Sequence, residues 1–171
     1  MGVDIHLATT IKMEDTWVPV EDVPAAWDCR CYELFKFLRD IGIGGIPEEI
    51  AGKKIGRTEE FGEEYYRYDT TLDYLYGHSY TTLDEIIKEE KKLNKVVVSE
   101  EFLNLFFELG GVLPEQMSLD KDDGKIYVEP LDEDELNVRD LIREGICQLK
   151  KIADKYGVKE NEVKLAYAFD C

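Results

Sequence analysis

The chain holds two histidines in 171 residues, and both lie in polar motifs: Asp4-Ile5-His6 and Tyr76-Gly77-His78-Ser79-Tyr80. Imidazole titrates near neutral pH, so His6 and His78 are the candidate catalytic residues, as a general acid–base pair. With Asp4 they could instead hold a divalent metal that activates water. Arg30 offers a planar fork of donors suited to phosphate, and Ser79 offers a hydroxyl. Tyr74, Tyr76 and Tyr80 supply flat rings on which a base could stack. The candidate ligand-binding set is therefore Asp4, His6, Arg30, Tyr76, His78, Ser79 and Tyr80. No metal is assigned, because Asp-x-His is a common pattern, and no cofactor is indicated. A purely structural alternative makes Asp4 and His6 a buried polar pair that sets sheet register, with Ser79 or Thr82 capping a helix.

These residues need elements to position them. Val3, Ile5 and Leu7 alternate with Asp4 and His6, the period of a half-buried strand, and Trp17-Val18-Pro19-Val20 extends it into a hairpin. Leu34, Phe35, Phe37, Leu38 and Ile41 have helical spacing over 31–41, and Gly42 to Pro47 stop that helix. Residues 52–73 show no clear period and read as an irregular loop with room for one short element. Gly77 lets the chain turn so that His78 is presented just before a helix from Leu83 to about Leu93. Thr82 and Glu85 have the spacing of a capping box there. A turn feeding a helix N-terminus is a natural anion site. Ser99 starts a further helix with Phe102, Leu105, Phe106 and Leu109 as its apolar stripe. Asp120 to Gly124 reads as a β-turn before a strand at 125–128, since its acidic spacing does not match a calcium loop. A long helix spans 132–156, and Val163, Leu165, Tyr167 and Phe169 alternate in a last strand. The expected fold is a single α+β domain over 1–171. Its small, mostly antiparallel sheet comes from the two chain ends and is covered by three or four helices.

With 38 acidic and 21 basic residues the formal net charge is −17. Phosphate neutralisation needs a basic face, so a sequence-independent nucleic-acid binder is not expected. An anionic ligand would need a local positive patch, for which Arg30, Lys53, Lys54, Arg57 and Arg67 are available. No stretch approaches the roughly 20 apolar residues of a membrane span, and the N-terminus lacks the pattern of a secretory signal. A cytoplasmic protein is expected. Cys29, Cys31, Cys147 and Cys171 read as free thiols, because C-x-C without a second paired motif is not a zinc signature.

Several motifs taken in order resemble those of a family of small bacteriophage and prophage proteins of largely unassigned function. They are Met1-Gly2-Val3-Asp4-Ile5-His6; Arg30-Cys31-Tyr32-Glu33-Leu34-Phe35; Gly45-Ile46-Pro47; Gly77-His78-Ser79 with Leu83; and Phe169-Asp170. Cys31 departs from the family's asparagine, removing an amide donor and acceptor, and Ile86 stands where leucine is usual. The resemblance implies a phage origin, hence the host cytoplasm, and supports one domain; it supplies no activity. The resulting expectation is an accessory, counter-defence protein that sequesters a small anionic, nucleotide-like ligand such as an immune second messenger. A phosphodiesterase-like hydrolase acting on the same ligand would use the same residues, so the sequence leaves binding or turnover open. A third reading is an acidic surface that inhibits a host protein. A homo-oligomer would suit a sponge, because subunit interfaces make ready pockets.

Overall fold

The computed structural model describes residues 3–93, 96–112, 117–122, 125–130 and 133–170. The chain begins with β1 (Asp4–Met13) and β2 (Thr16–Val20), followed by α1 (Tyr32–Ile41) and the two-residue β3 (Ile43–Gly44). A hairpin of β4 (Lys54–Glu60) and β5 (Glu63–Asp69) precedes β6 (Tyr76–Thr82) and α2 (Leu83–Glu90). Then come β7 (Val96–Val98), α3 (Glu100–Glu108), β8 (Met117–Asp122), β9 (Lys125–Pro130), α4 (Glu133–Tyr156) and β10 (Val163–Asp170). This is an α+β fold.

The main sheet has five strands in the order β2-β1-β10-β6-β3, and every pairing in it is antiparallel. The chain ends do meet at its centre, where Asp4 pairs with Asp170 and Ile11 with Val163. The sheet is larger than the expected end-to-end pairing, however, because β6 and β3 from the middle of the chain extend it. A two-stranded sheet of β4 and β5 and a three-stranded β7-β9-β8 sheet complete the set.

Alternation divides the sheet into two unlike faces. Ile5, Leu7 and Ile11 of β1 join Val163, Leu165, Tyr167 and Phe169 of β10 against α1, α2 and α4. Trp27 is fully buried in that layer and donates its indole N–H to the Leu141 carbonyl at 2.9 Å. Gly145 of α4 lets the helix come this close, since a Cβ there would lie 2.0 Å from the indole. The opposite face carries Ala8, Ala166 and Ala168, small enough for Ile55 and Tyr68 of the β4–β5 hairpin to pack directly on the strands. The α-helices therefore cover one face, and the hairpin, with Ile50 and Leu75, covers the other.

That hairpin occupies the stretch expected to be an irregular loop. Its outer half is exposed on both sides, so no apolar alternation marks it. The turn signal was nevertheless present: Phe61 and Gly62 both take positive φ (52° and 79°) between the paired Glu60 and Glu63. That is the geometry of a type I′ turn. One other expectation changes. Thr82 stands at the N-cap of α2 but its side chain caps nothing, so the capping box does not form. Ser99 does cap α3, accepting from the Phe102 N–H at 3.1 Å, yet no residue of α3 is buried, and Phe102 and Leu105 are exposed. Asp123 and Gly124, expected in a β-turn, lie outside the described residues. Among the described residues no helix is long and apolar enough to cross a membrane.

Candidate functional site

Residues 76–82, expected as a turn before a helix, form strand β6 paired with β10. Gly77 keeps its special role in a different way. The register slips between Tyr167 and Phe169, so that Gly77 and His78 together oppose Ala168. Gly77 takes φ +65°, and a Cβ there would lie 3.0 Å from the Phe169 ring. This is a β-bulge, and a bulge reverses the side-chain alternation. Tyr76 accordingly packs beside Phe169 on the helix face, with ring centroids 6.1 Å apart, while His78 meets Tyr68 on the hairpin face. The expected set is thus divided between two faces.

Asp4, His6 and Arg30 do converge, at the open end of the sheet, and Asp170 joins them. Arg30 grips Asp4 in bidentate fashion, Nε to Oδ1 at 2.5 Å and Nη2 to Oδ2 at 3.0 Å. The hydrogen bond from Arg30 holds the Asp4 carboxyl below its usual value. His6 Nε2 lies 2.8 Å from Asp170 Oδ2, and its Nδ1 lies 3.0 Å from the Arg67 carbonyl. Both ring nitrogens of His6 thus lie within hydrogen-bond distance of an oxygen acceptor of the protein.

His78 lies on the same face of the sheet, two strands from His6 and so roughly 10 Å away across β10. Its Nδ1 is 2.7 Å from the Tyr68 hydroxyl, and the two rings stack with centroids 5.8 Å apart. Tyr68 is fully buried, and burial pushes its hydroxyl up, so this hydroxyl stays protonated and donates. Burial also holds the His78 imidazole below its ordinary value, only partly opposed by a hydrogen bond with the Leu75 backbone. His78 is therefore neutral at neutral pH and accepts at Nδ1. An acid–base pair needs a shared substrate position, and here the two rings stand roughly 10 Å apart, with both nitrogens of His6 and Nδ1 of His78 engaged by other groups of the protein.

Ser79 is buried on the helix face and donates to the Gly77 carbonyl at 3.1 Å. Tyr80 returns to the hairpin face, where Lys164 stands 5.4 Å from its ring and 3.9 Å from that of Trp17. Lys164 also pairs with Glu49 at 2.8 Å, and Thr10 donates to the same carboxylate at 3.0 Å. Burial works to raise the Glu49 carboxyl, but the bonds from Lys164 and Thr10 outweigh it and leave the group below its usual value. Tyr80 is thus part of a closed, satisfied cluster. Among the described residues no three His, Cys, Asp or Glu side chains converge as ligands of a metal ion, and Cys29, Cys31 and Cys147 are free thiols.

Of the expected set, Tyr76 opens onto a cavity. It lines a cleft of about 140 Å³ with Val3, Tyr32, Phe35, Lys36, Arg39 and Phe169. Phe35 and Phe169 form the buried floor, while Tyr32 and Tyr76 are 55% and 42% exposed. Sequence reasoning passed over Tyr32, Lys36 and Arg39, although their i, i+4, i+7 spacing places them on one face of α1. The basic residues expected around a ligand are elsewhere: Lys53, Lys54 and Arg57 line a separate groove of about 430 Å³ beside Pro19–Glu21 and Tyr66. There Arg57 is held by Glu59 and Glu64. No protein-family model matches the chain, and neither a curated protein nor a solved structure matches it significantly.

Proposed function

We propose that the chain binds a small anionic, nucleotide-like ligand at the Tyr32–Tyr76 cleft and holds it without turnover. The observation that carries this reading is the pair of exposed tyrosine rings over an aromatic floor, with Lys36 and Arg39 at the rim. Ring stacking is worth about 1–3 kcal/mol per base and tolerates any base. A cation on each of two helical turns supplies local positive charge on a chain of net charge −17. Sequestration rather than hydrolysis is favoured because both nitrogens of His6 and Nδ1 of His78 already have hydrogen-bond partners. In the phage setting implied by the resemblance, the ligand class is a nucleotide second messenger of host defence.

The test is thermal unfolding of the protein in the presence of cyclic and linear nucleotides. A ligand selective for the folded state raises the midpoint with its concentration. The expected result is a saturable rise with at least one nucleotide that is lost in Tyr76→Ala and in Arg39→Glu, with the nucleotide recovered intact after denaturation. A rise that survives both substitutions, or no rise with any nucleotide, overturns the site. Recovery of a cleaved product replaces sequestration by hydrolysis.

A further inference from the structure

The tip of the β4–β5 hairpin is built against its own conformational preference. A type I′ turn favours Asn, Asp or Gly where φ is positive, yet its first central position is Phe61, at φ 52°. Bulky side chains seldom adopt that region, because the Cβ crowds the following carbonyl oxygen. No packing among the described residues offsets this cost: Phe61 is 97% exposed and belongs to neither core. An aromatic ring held out on a tight turn has the form of an interface anchor. Acidic residues surround it, since Thr58 to Tyr65 contains four glutamates and no basic residue. Glu59 and Glu64 share Arg57, whereas Glu63 meets no cation among the described residues and accepts from the Tyr65 hydroxyl at 2.7 Å. Carboxylates beside the ring oppose its insertion into an anionic bilayer.

The same chain carries the complement of this tip. The Tyr32–Tyr76 cleft has a buried aromatic floor, a volume of about 140 Å³ and two exposed cations, Lys36 and Arg39, at its rim. An apolar hole of roughly 150 Å³ takes one benzene ring. Neither Lys36 nor Arg39 is held in an ion pair among the described residues, so both can meet a carboxylate brought to the rim.

From this match of ring to hole and of acid to base we propose that Phe61 of one copy seats in the Tyr32–Tyr76 cleft of a second copy, with Glu63 facing Lys36 and Arg39. The turn holds the ring out before contact, so little conformational freedom is lost on association. Net charge −17 makes whole copies repel one another at range. Salt at about 0.15 M confines that repulsion to roughly 8 Å and leaves the close contact in place. The contact uses the cleft of the proposed function but not its ligand, and a nucleotide seated there excludes the tip.

Sedimentation equilibrium in about 0.15 M salt, with protein up to about 100 μM, tests it. The unaltered protein should associate in a concentration-dependent way. Phe61→Asn suits the turn, so it should keep or raise the melting temperature while weakening association about tenfold or more. Arg39→Glu should also weaken association, and adding Glu63→Arg to the same chain should restore most of the loss. A monomer at every concentration overturns the contact. Association that persists in Phe61→Asn overturns the tip as anchor, and association untouched by Arg39→Glu overturns the cleft as its seat. No recovery in the double variant overturns the pairing of Glu63 with the rim. A nucleotide-induced thermal shift in a monomeric protein overturns this contact alone; association without any such shift overturns the ligand alone.

Discussion

His6 and His78 share a face of one sheet, two strands apart, yet their surroundings ask opposite things of the same ring. At the open end of the sheet His6 meets a carboxylate and a carbonyl, both acceptors, within a cluster that also holds Asp4 and Arg30. Deeper in, His78 lies under a buried tyrosine that donates to it, and burial keeps it neutral. Strand alternation gave both residues the same face; what covers that face gave them different chemistry. Two histidines on one surface therefore need not share one chemistry. The position of each relative to the β4–β5 hairpin decides.

The sharpest way to break the contrast is to remove the cover. Tyr68→Ala deletes a fully buried ring and should cost about 3–5 kcal/mol, read from denaturant midpoints. Where the variant remains folded, His78 should gain solvent and lose the depressed value that distinguishes it.

A smaller effect tests the same difference through pH. The His78 value is depressed from 6.5, so the unfolded chain binds its proton more readily than the folded one. Its contribution to stability is complete above about pH 6.5 and is lost as pH falls through the lower folded value. Melting temperatures between about pH 8 and about pH 5 should show this acid-side loss in the unaltered protein. His78→Gln should lack that component, and His6→Gln should retain it.

The smallest effect belongs to the open end. Arg30 and Asp4 are 63% and 50% exposed at their side chains, so their geometry, though bidentate, is screened by solvent. Arg30→Ala should leave the denaturant midpoint almost unchanged at moderate salt. A loss comparable with that of Tyr68→Ala would mean that the open end is as tightly built as the covered one.

How far the sequence carried the reading depends on whether each pattern was local. Alternation in Val3–Leu7 and Val163–Phe169 marked both central strands, and the helical stripe in Leu34–Ile41 marked α1, because each element buries one face against the core. The β4–β5 hairpin escaped because its outer half faces solvent on both sides, leaving only Phe61-Gly62 as a sign. The α3 stripe was read as helical, and it is, yet no residue of that helix is buried: spacing reports an apolar face, not whether anything lies against it.

By itself, then, the sequence determined the element types along most of the chain, the antiparallel meeting of its two ends, and the acidic charge that any anionic ligand must overcome. Only the tertiary structure decided which motif residues share a site. The bulge at Gly77 turned Tyr76 away from His78, the hairpin sealed His78 beneath Tyr68, and α1 brought Tyr32, Lys36 and Arg39 beside Tyr76. The physical reason is that side-chain direction in a strand depends on register. One extra residue in one strand reverses it, and no local pattern in the sequence counts the residues of the partner strand.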